Sequence, residues 1–214
     1  MRPGLLVAAA LLSAVPATGD SIDPTPVQVD TLTQIDALPT RAVVDRVFAP
    51  GPGPTPGLDA LLALAGDTSR DVGLQIRAIR ALPQYCLPAC AGTRVHDALF
   101  RIVDGYRTQL AATALAPQDM MRLRTAMEAL GATQSGLQGD VDLLTDPTLL
   151  HHASRDVQVT AVTALRSLCS PDLCTPDACL QDVSAVRSLR TGADTQVDAA
   201  INSALADLAR CVQP

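Results

Sequence analysis

The stretch SRDVQVTAVTALRSLC, Ser154 to Cys169, decides how the rest of the chain is read. A serine hydroxyl accepts from a free amide of a first helical turn, so Ser154 reads as an N-cap. Asp156 falls in that turn, where the positive end of the helix dipole favours a carboxylate. Val157, Ala161, Ala164, Leu165 and Leu168 follow at helical spacing and form one apolar stripe. This is a short amphipathic helix with a defined start and stop.

Altered copies of it recur. Ser69-Arg70-Asp71-Val72 leads into Leu74, Ala78, Ala81, Leu82 and Cys86. Asp119 leads to Ala126, Ala129 and Leu130, and Asp194 leads to Val197, Ile201, Ala204 and Leu205. Aligned on Leu82 and Leu165, Cys86 falls on Cys169. The leucines Leu82, Leu130, Leu165 and Leu205 stand 48, 35 and 40 residues apart, the period of two-helix solenoid repeats. The pattern Asp-x-x-Val-x-x-x-Ile-x-x-Ala-Leu, from Asp194 to Leu205, resembles the second helix of a HEAT repeat, and the resemblance spans residues 58–211. It departs from that family where Gln158 and Asp198 replace the Arg that usually follows the Val, so a regular Asp–Arg ladder between repeats is not expected. The resemblance implies an all-α fold, an α-α superhelix or solenoid of about four HEAT-like helical hairpins. The competing arrangement is an irregular bundle of short Ala/Leu helices.

Composition agrees with closely packed helices. There is no Trp, and with two Tyr and two Phe the core must come from Ala, Leu and Val. Met1 to Gly19 reads as a secretory signal: Arg2, the apolar run Leu5 to Ala14, then Pro16 and small residues. The run spans about ten residues, too few to cross a bilayer. Without this segment, 15 Arg stand against 22 acidic residues, a net charge of −7. That argues against nucleic acid and anionic membrane surfaces as partners, and no membrane insertion is expected once the signal is removed.

The mature chain divides into a leader, 20–57, and a helical repeat domain, 58–214. Asp20 to Pro26 is expected to be disordered, and Leu32 to Phe48 to form one or two short helices. The Pro/Gly run Ala49 to Gly57 is a linker or surface loop, because alternating Pro and Gly cannot sustain a helix. Helices are expected over 58–65, 71–85, 94–114, 117–131, 147–151, 155–169, from Thr175 to before Gly192, and 195–211. Thr133 to Asp140 reads as a loop.

Six cysteines in an exported chain point to disulfides. Cys86 and Cys90, like Cys169 and Cys174, follow a second helix with a Pro between them, which favours local bridges Cys86–Cys90 and Cys169–Cys174. Cys179 and Cys211 then sit at adjoining ends of a helical hairpin and form the third. A zinc site from Cys169, Cys174, Cys179 and Cys211 would lack the two-residue spacing of a zinc knuckle. No metal or cofactor is expected.

No catalytic residues are expected. His151-His152 are adjacent and diverge on a helix, so a solvated helix end is the reading there. His96-Asp97 reads as a surface pair in a first turn. No serine carries a nucleophile-elbow motif, and there is neither a phosphate loop nor a His-Glu-x-x-His sequence. Met120, Met121 and Met127 read as core filling. Arg77, Arg80, Arg122, Arg124, Arg155 and Arg166 recur on the repeat helices and could line one face toward an acidic protein partner, against the plainer reading of a mixed solvated surface.

The expectation is therefore a monomeric, non-enzymatic interaction module or scaffold, exported to the periplasm or medium, with a protein partner that the sequence does not identify. Two other classes stay open. Some HEAT-like proteins are similar to lyases that attach bilin pigments to phycobiliproteins, and a structural envelope protein would also fit.

Overall fold

The computed structural model describes residues 23–34, 37–49, 54–168, 184, 186–189 and 194–212, the last five of these by backbone alone. Among the described residues every regular element is helical. The proposed signal segment, Cys169, Cys174 and Cys179 lie outside the described residues, as does most of the span from Thr175 to Gly192 where a helix is expected.

Helix starts follow local chemistry. α1 (Pro26–Leu32) opens with a capping box, the Thr25 amide donating to Gln28 Oε1 at 2.8 Å while the Thr25 hydroxyl accepts from the Gln28 amide. The expected disordered leader thus already ends at Thr25. α2 is Arg41–Phe48. α3 (Pro56–Gly66) and α6 (Pro117–Ala132) each begin with a proline, whose missing N–H is not needed there. Asp71 caps α4 (Val72–Ala81), which tightens into a 3-10 turn over Leu82–Tyr85. Thr93 caps α5 (Arg94–Ala112). α7 (Gln138–Leu144) begins inside the segment expected to be a loop, so that loop is shorter than read. Asp146 caps α8 (Pro147–Leu150). α9 is Arg155–Leu168, and Asp194 caps α10 (Thr195–Val212) through the Gln196 and Val197 amides.

α3 packs on α4, α5 on α6, and both α7 and α8 on α9. The second members of these groups also pack on one another in chain order: α4 on α6, α6 on α9, α9 on α10. One core runs through all of them. Leu82, Leu130 and Leu165 are wholly buried, and Leu205 packs half-buried against the same cluster. Small residues permit the close approach: Ala78, Ala81, Ala126, Ala129, Ala161 and Ala164 are all buried. At Gly131 the two backbones nearly touch, since a Cβ there would lie 2.6 Å from the Ala164 carbonyl oxygen and 2.7 Å from its Cα.

The leader belongs to the same core. α1 packs on α2 and α2 on α3, and Leu32, Val44 and Phe48 join the buried cluster. Tyr85 donates to Asp45 at 2.8 Å, with the Arg41 guanidinium over its ring. Gly57 sits against this pair, since a Cβ there would meet Asp45 Oδ1 at 2.5 Å and the Tyr85 hydroxyl at 2.6 Å.

Cys86 and Cys90 form the expected disulfide, with Cα atoms 4.6 Å apart. It closes the turn between the 3-10 segment and α5. Replacing both cysteines by alanine is expected to cost about 2 kcal/mol, the loop-entropy value for so short a ring. Urea unfolding of the oxidised protein and the double variant measures this; equal midpoints would show that the clip contributes nothing. No described helix is long and apolar enough to cross a membrane.

Candidate functional site

The arginines expected on one face separate into three environments. Arg80, Arg124 and Arg166 each reach from one helix of the α4–α6–α9–α10 series to an acid on the next. Arg80 meets Glu128 at 3.3 Å, Arg124 meets Asp156 at 3.1 Å, and Arg166 pairs with Asp207 while donating to Ser203 Oγ at 3.0 Å. Arg155 stands 3.9 Å from Asp194. These pairs use non-equivalent positions of the repeats, and one of them goes to Glu128, so they are not the regular Asp–Arg ladder of the HEAT pattern. Such half-exposed pairs are worth about 0–1 kcal/mol each, so they register neighbouring helices more than they stabilise them. Arg77 is half-buried on α4 and makes no ion pair among the described residues.

Arg122 is a correction. Its side chain is 6% exposed and serves the interior, not a partner-binding surface. Its Nε donates to Gln75 Oε1 and its Nη1 to Asp119 at 2.6 Å. Gln75, itself wholly buried, passes the network on by donating to the carbonyls of Asp67 and Arg70. A buried guanidinium needs such partners because an unpaired buried charge is costly. Tyr106 completes the group by donating to Asp119 at 3.3 Å.

Both tyrosines are held neutral. Burial, then the hydrogen bond to Asp45, pushes the Tyr85 phenol well above its ordinary value. Burial, then the charge of Asp119, pushes Tyr106 up to about 12, with Arg122 opposing. The sign follows from linkage: with folded values raised, this contribution to stability is complete below the unfolded value near 10 and is lost as pH rises through the folded values. At about pH 11, one unit above the ordinary tyrosine value, the native protein is expected to show little tyrosinate absorbance while the urea-unfolded chain shows nearly all of it. Full tyrosinate signal with native circular dichroism at that pH would contradict this.

A second buried polar group joins α5 to α7. His96 Nε2 lies 3.0 Å from both Asp140 carboxylate oxygens, and Nδ1 lies 3.3 Å from Asp97 Oδ1. Ser135 Oγ donates to Asp140 Oδ2. Asp140 is 1% exposed and His96 is buried, so the expected surface pair His96-Asp97 is instead the edge of an interior brace. The carboxylate sits between serine and imidazole, whereas nucleophilic catalysis needs the imidazole in the middle. The signal was present in the sequence: His96 leads Leu99 and Val103 at helical spacing on the buried face of α5.

An open cleft of about 300 Å³ lies where the end of α3 meets α5 and α6. Its only charged lining residues are Arg101 and Arg122. His151 is exposed at the end of α8, as expected, while His152 Nδ1 accepts from the Ser154 amide at 2.9 Å. Met127 is core, Met120 packs against it, and Met121 is exposed. Cys211 falls within α10, with its side chain outside the described set. Among the described residues no three His, Cys, Asp or Glu side chains are grouped to hold a metal ion. No protein-family model, curated protein or solved structure matches this chain.

Proposed function

We propose that the chain is an exported, non-enzymatic protein–protein interaction module, built as an α-α superhelix of HEAT-like helical hairpins. The observation that carries this reading is the ordered succession of α4, α6, α9 and α10, each packed on the next, with companion helices behind the first three. Helices added in this manner extend a surface instead of closing it, and repeat proteins use such surfaces to dock partners. Export is supported by the apolar front end together with the Cys86–Cys90 bridge, since disulfides persist in oxidising compartments.

The ridge of the α4–α6–α9–α10 series is charge-paired, because four of the six arginines already meet acids at the next member of the series. A partner lying along that ridge would meet a mixed polar surface, not a field of positive charge. The test is the native mass of the protein recovered under mild conditions from its own cell envelope or medium. A second protein bound at a fixed ratio is the expected result. A lone chain that turns over a substrate or carries a covalent pigment would overturn the reading.

A further inference from the structure

We propose that the cleft between α3, α5 and α6 binds a short extended segment of a partner protein, taking an acidic side chain together with an apolar neighbour. This rests on the interaction-module reading and names a site for it. At about 300 Å³ the cleft falls at the lower end of the size range of ligand pockets and admits a few side chains, not a folded surface.

Its charge has one sign. Arg122 lies under the floor with its guanidinium already engaged by Gln75 and Asp119, so the charge open to a ligand is that of Arg101. Arg101, at the rim, is exposed, and its Nε donates to the Asp97 carbonyl at 3.1 Å. It has no carboxylate partner among the described residues. The tether holds its stem and leaves the far end of the fork for a ligand carboxylate, which guanidinium matches in geometry. One unshared guanidinium balances a single negative charge, so a carboxylate suits the site better than a phosphate group near −2. Ile102 and the Tyr106 ring supply apolar wall for the neighbouring residue.

Two glycines support an occupant independently of charge. Gly66 and Gly105 line the cleft, neither has a left-handed backbone, and a Cβ on either would meet nothing within 4 Å. Gly105 lies inside α5, where glycine costs about 1 kcal/mol relative to alanine. Packing within the chain gives no reason for that cost; keeping the helix surface open to another backbone does. A peptide also brings N–H donors for the Ala65 and Gly66 carbonyls, which as the last of α3 have no partner within the helix.

The experiment is an amide-NMR titration of the full-length oxidised protein with the blocked peptides acetyl-Ala-Asp-Leu-Ala-amide and acetyl-Ala-Leu-Asp-Ala-amide, and with their Asn counterparts. At least one Asp peptide is expected to give saturable shifts at Gly66, Arg101 and Gly105, with its Asn counterpart at least ten-fold weaker. Gly105→Leu, which fills open space on an exposed helix face, is expected to abolish the shifts with the fold unchanged. Arg101→Gln, at the rim, is expected to weaken binding at least five-fold and serves as a second variant. Absence of saturable shifts with both Asp peptides, equal binding of the Asn peptides, or full binding by the Arg101→Gln protein overturns the proposal. Should a native complex form that is indifferent to Gly105→Leu, the cleft falls and the module stands. Peptide binding without any native partner sinks the module reading alone.

Discussion

Gly131→Ala is expected to destabilise the protein by about 3 kcal/mol, the upper end of the usual cost of overpacking. The added methyl would sit 2.6 Å and 2.7 Å from backbone atoms of Ala164, far inside van der Waals contact. No side chain can rotate away to relieve the clash, so α6 and α9 must separate along a contact that also buries Leu130, Ala161 and Leu165. For a chain of this size the loss corresponds to a fall in Tm of roughly 6–12 °C. Gly105→Ala is the matched control. Its methyl meets open space, and gaining a better helix former there should raise stability by about 0.5–1 kcal/mol. Thermal melts of the two variants should therefore move in opposite directions. A neutral Gly131→Ala would mean that α6 and α9 do not meet as described.

Asp140→Ala is expected to cost about 3 kcal/mol as well, by a different route. The carboxylate is almost wholly buried and accepts from both His96 and Ser135, so its removal strands the buried imidazole and frees the half-buried serine. The anchorage of α7 on α5 goes with it, and amide exchange should accelerate first in residues 135–144. Asp156→Ala, which removes the exposed partner of Arg124, should by contrast change stability by no more than about 0.5 kcal/mol. Urea unfolding of the two variants separates an interior brace from a surface pair. Comparable losses would show that the His96–Asp140 group is not buried as described.

Much of the fold was legible because its determinants are local. The stripe Val157, Ala161, Ala164, Leu165 and Leu168 is buried along its length, and each of its repeats in the described residues lies on a helix. Asp71, Thr93, Asp146 and Asp194 cap where short polar side chains should. Cys86–Cys90 was readable from its place in the repeat, after a second helix and with a proline between the cysteines. What escaped was long-range or directional. Arg122 and Arg124 are two apart on one helix and so face different ways; only the spacing of Arg122 to Ala126 and Ala129 marked it as interior. His96 shares the buried stripe of α5, but its partner Asp140 lies 44 residues on, beyond any periodicity. Gly131 read as a helix end, whereas its role is set by the backbone of α9. The α7 helix was hidden by Gly136 and Gly139, which read as loop although the second of them is helical.

The central claim is that α4, α6, α9 and α10 lie side by side in an open row. Pulsed electron spin resonance tests it directly, with nitroxides introduced through a non-canonical keto residue that leaves the cysteines untouched. Labels at Arg80 and Asn202 should lie three helix spacings apart, roughly 24–30 Å, and labels at Arg80 and Thr163 roughly 16–20 Å apart. An Arg80–Asn202 distance as short as the Arg80–Thr163 one would mean that the helices close into a bundle, and the extended docking surface would be gone.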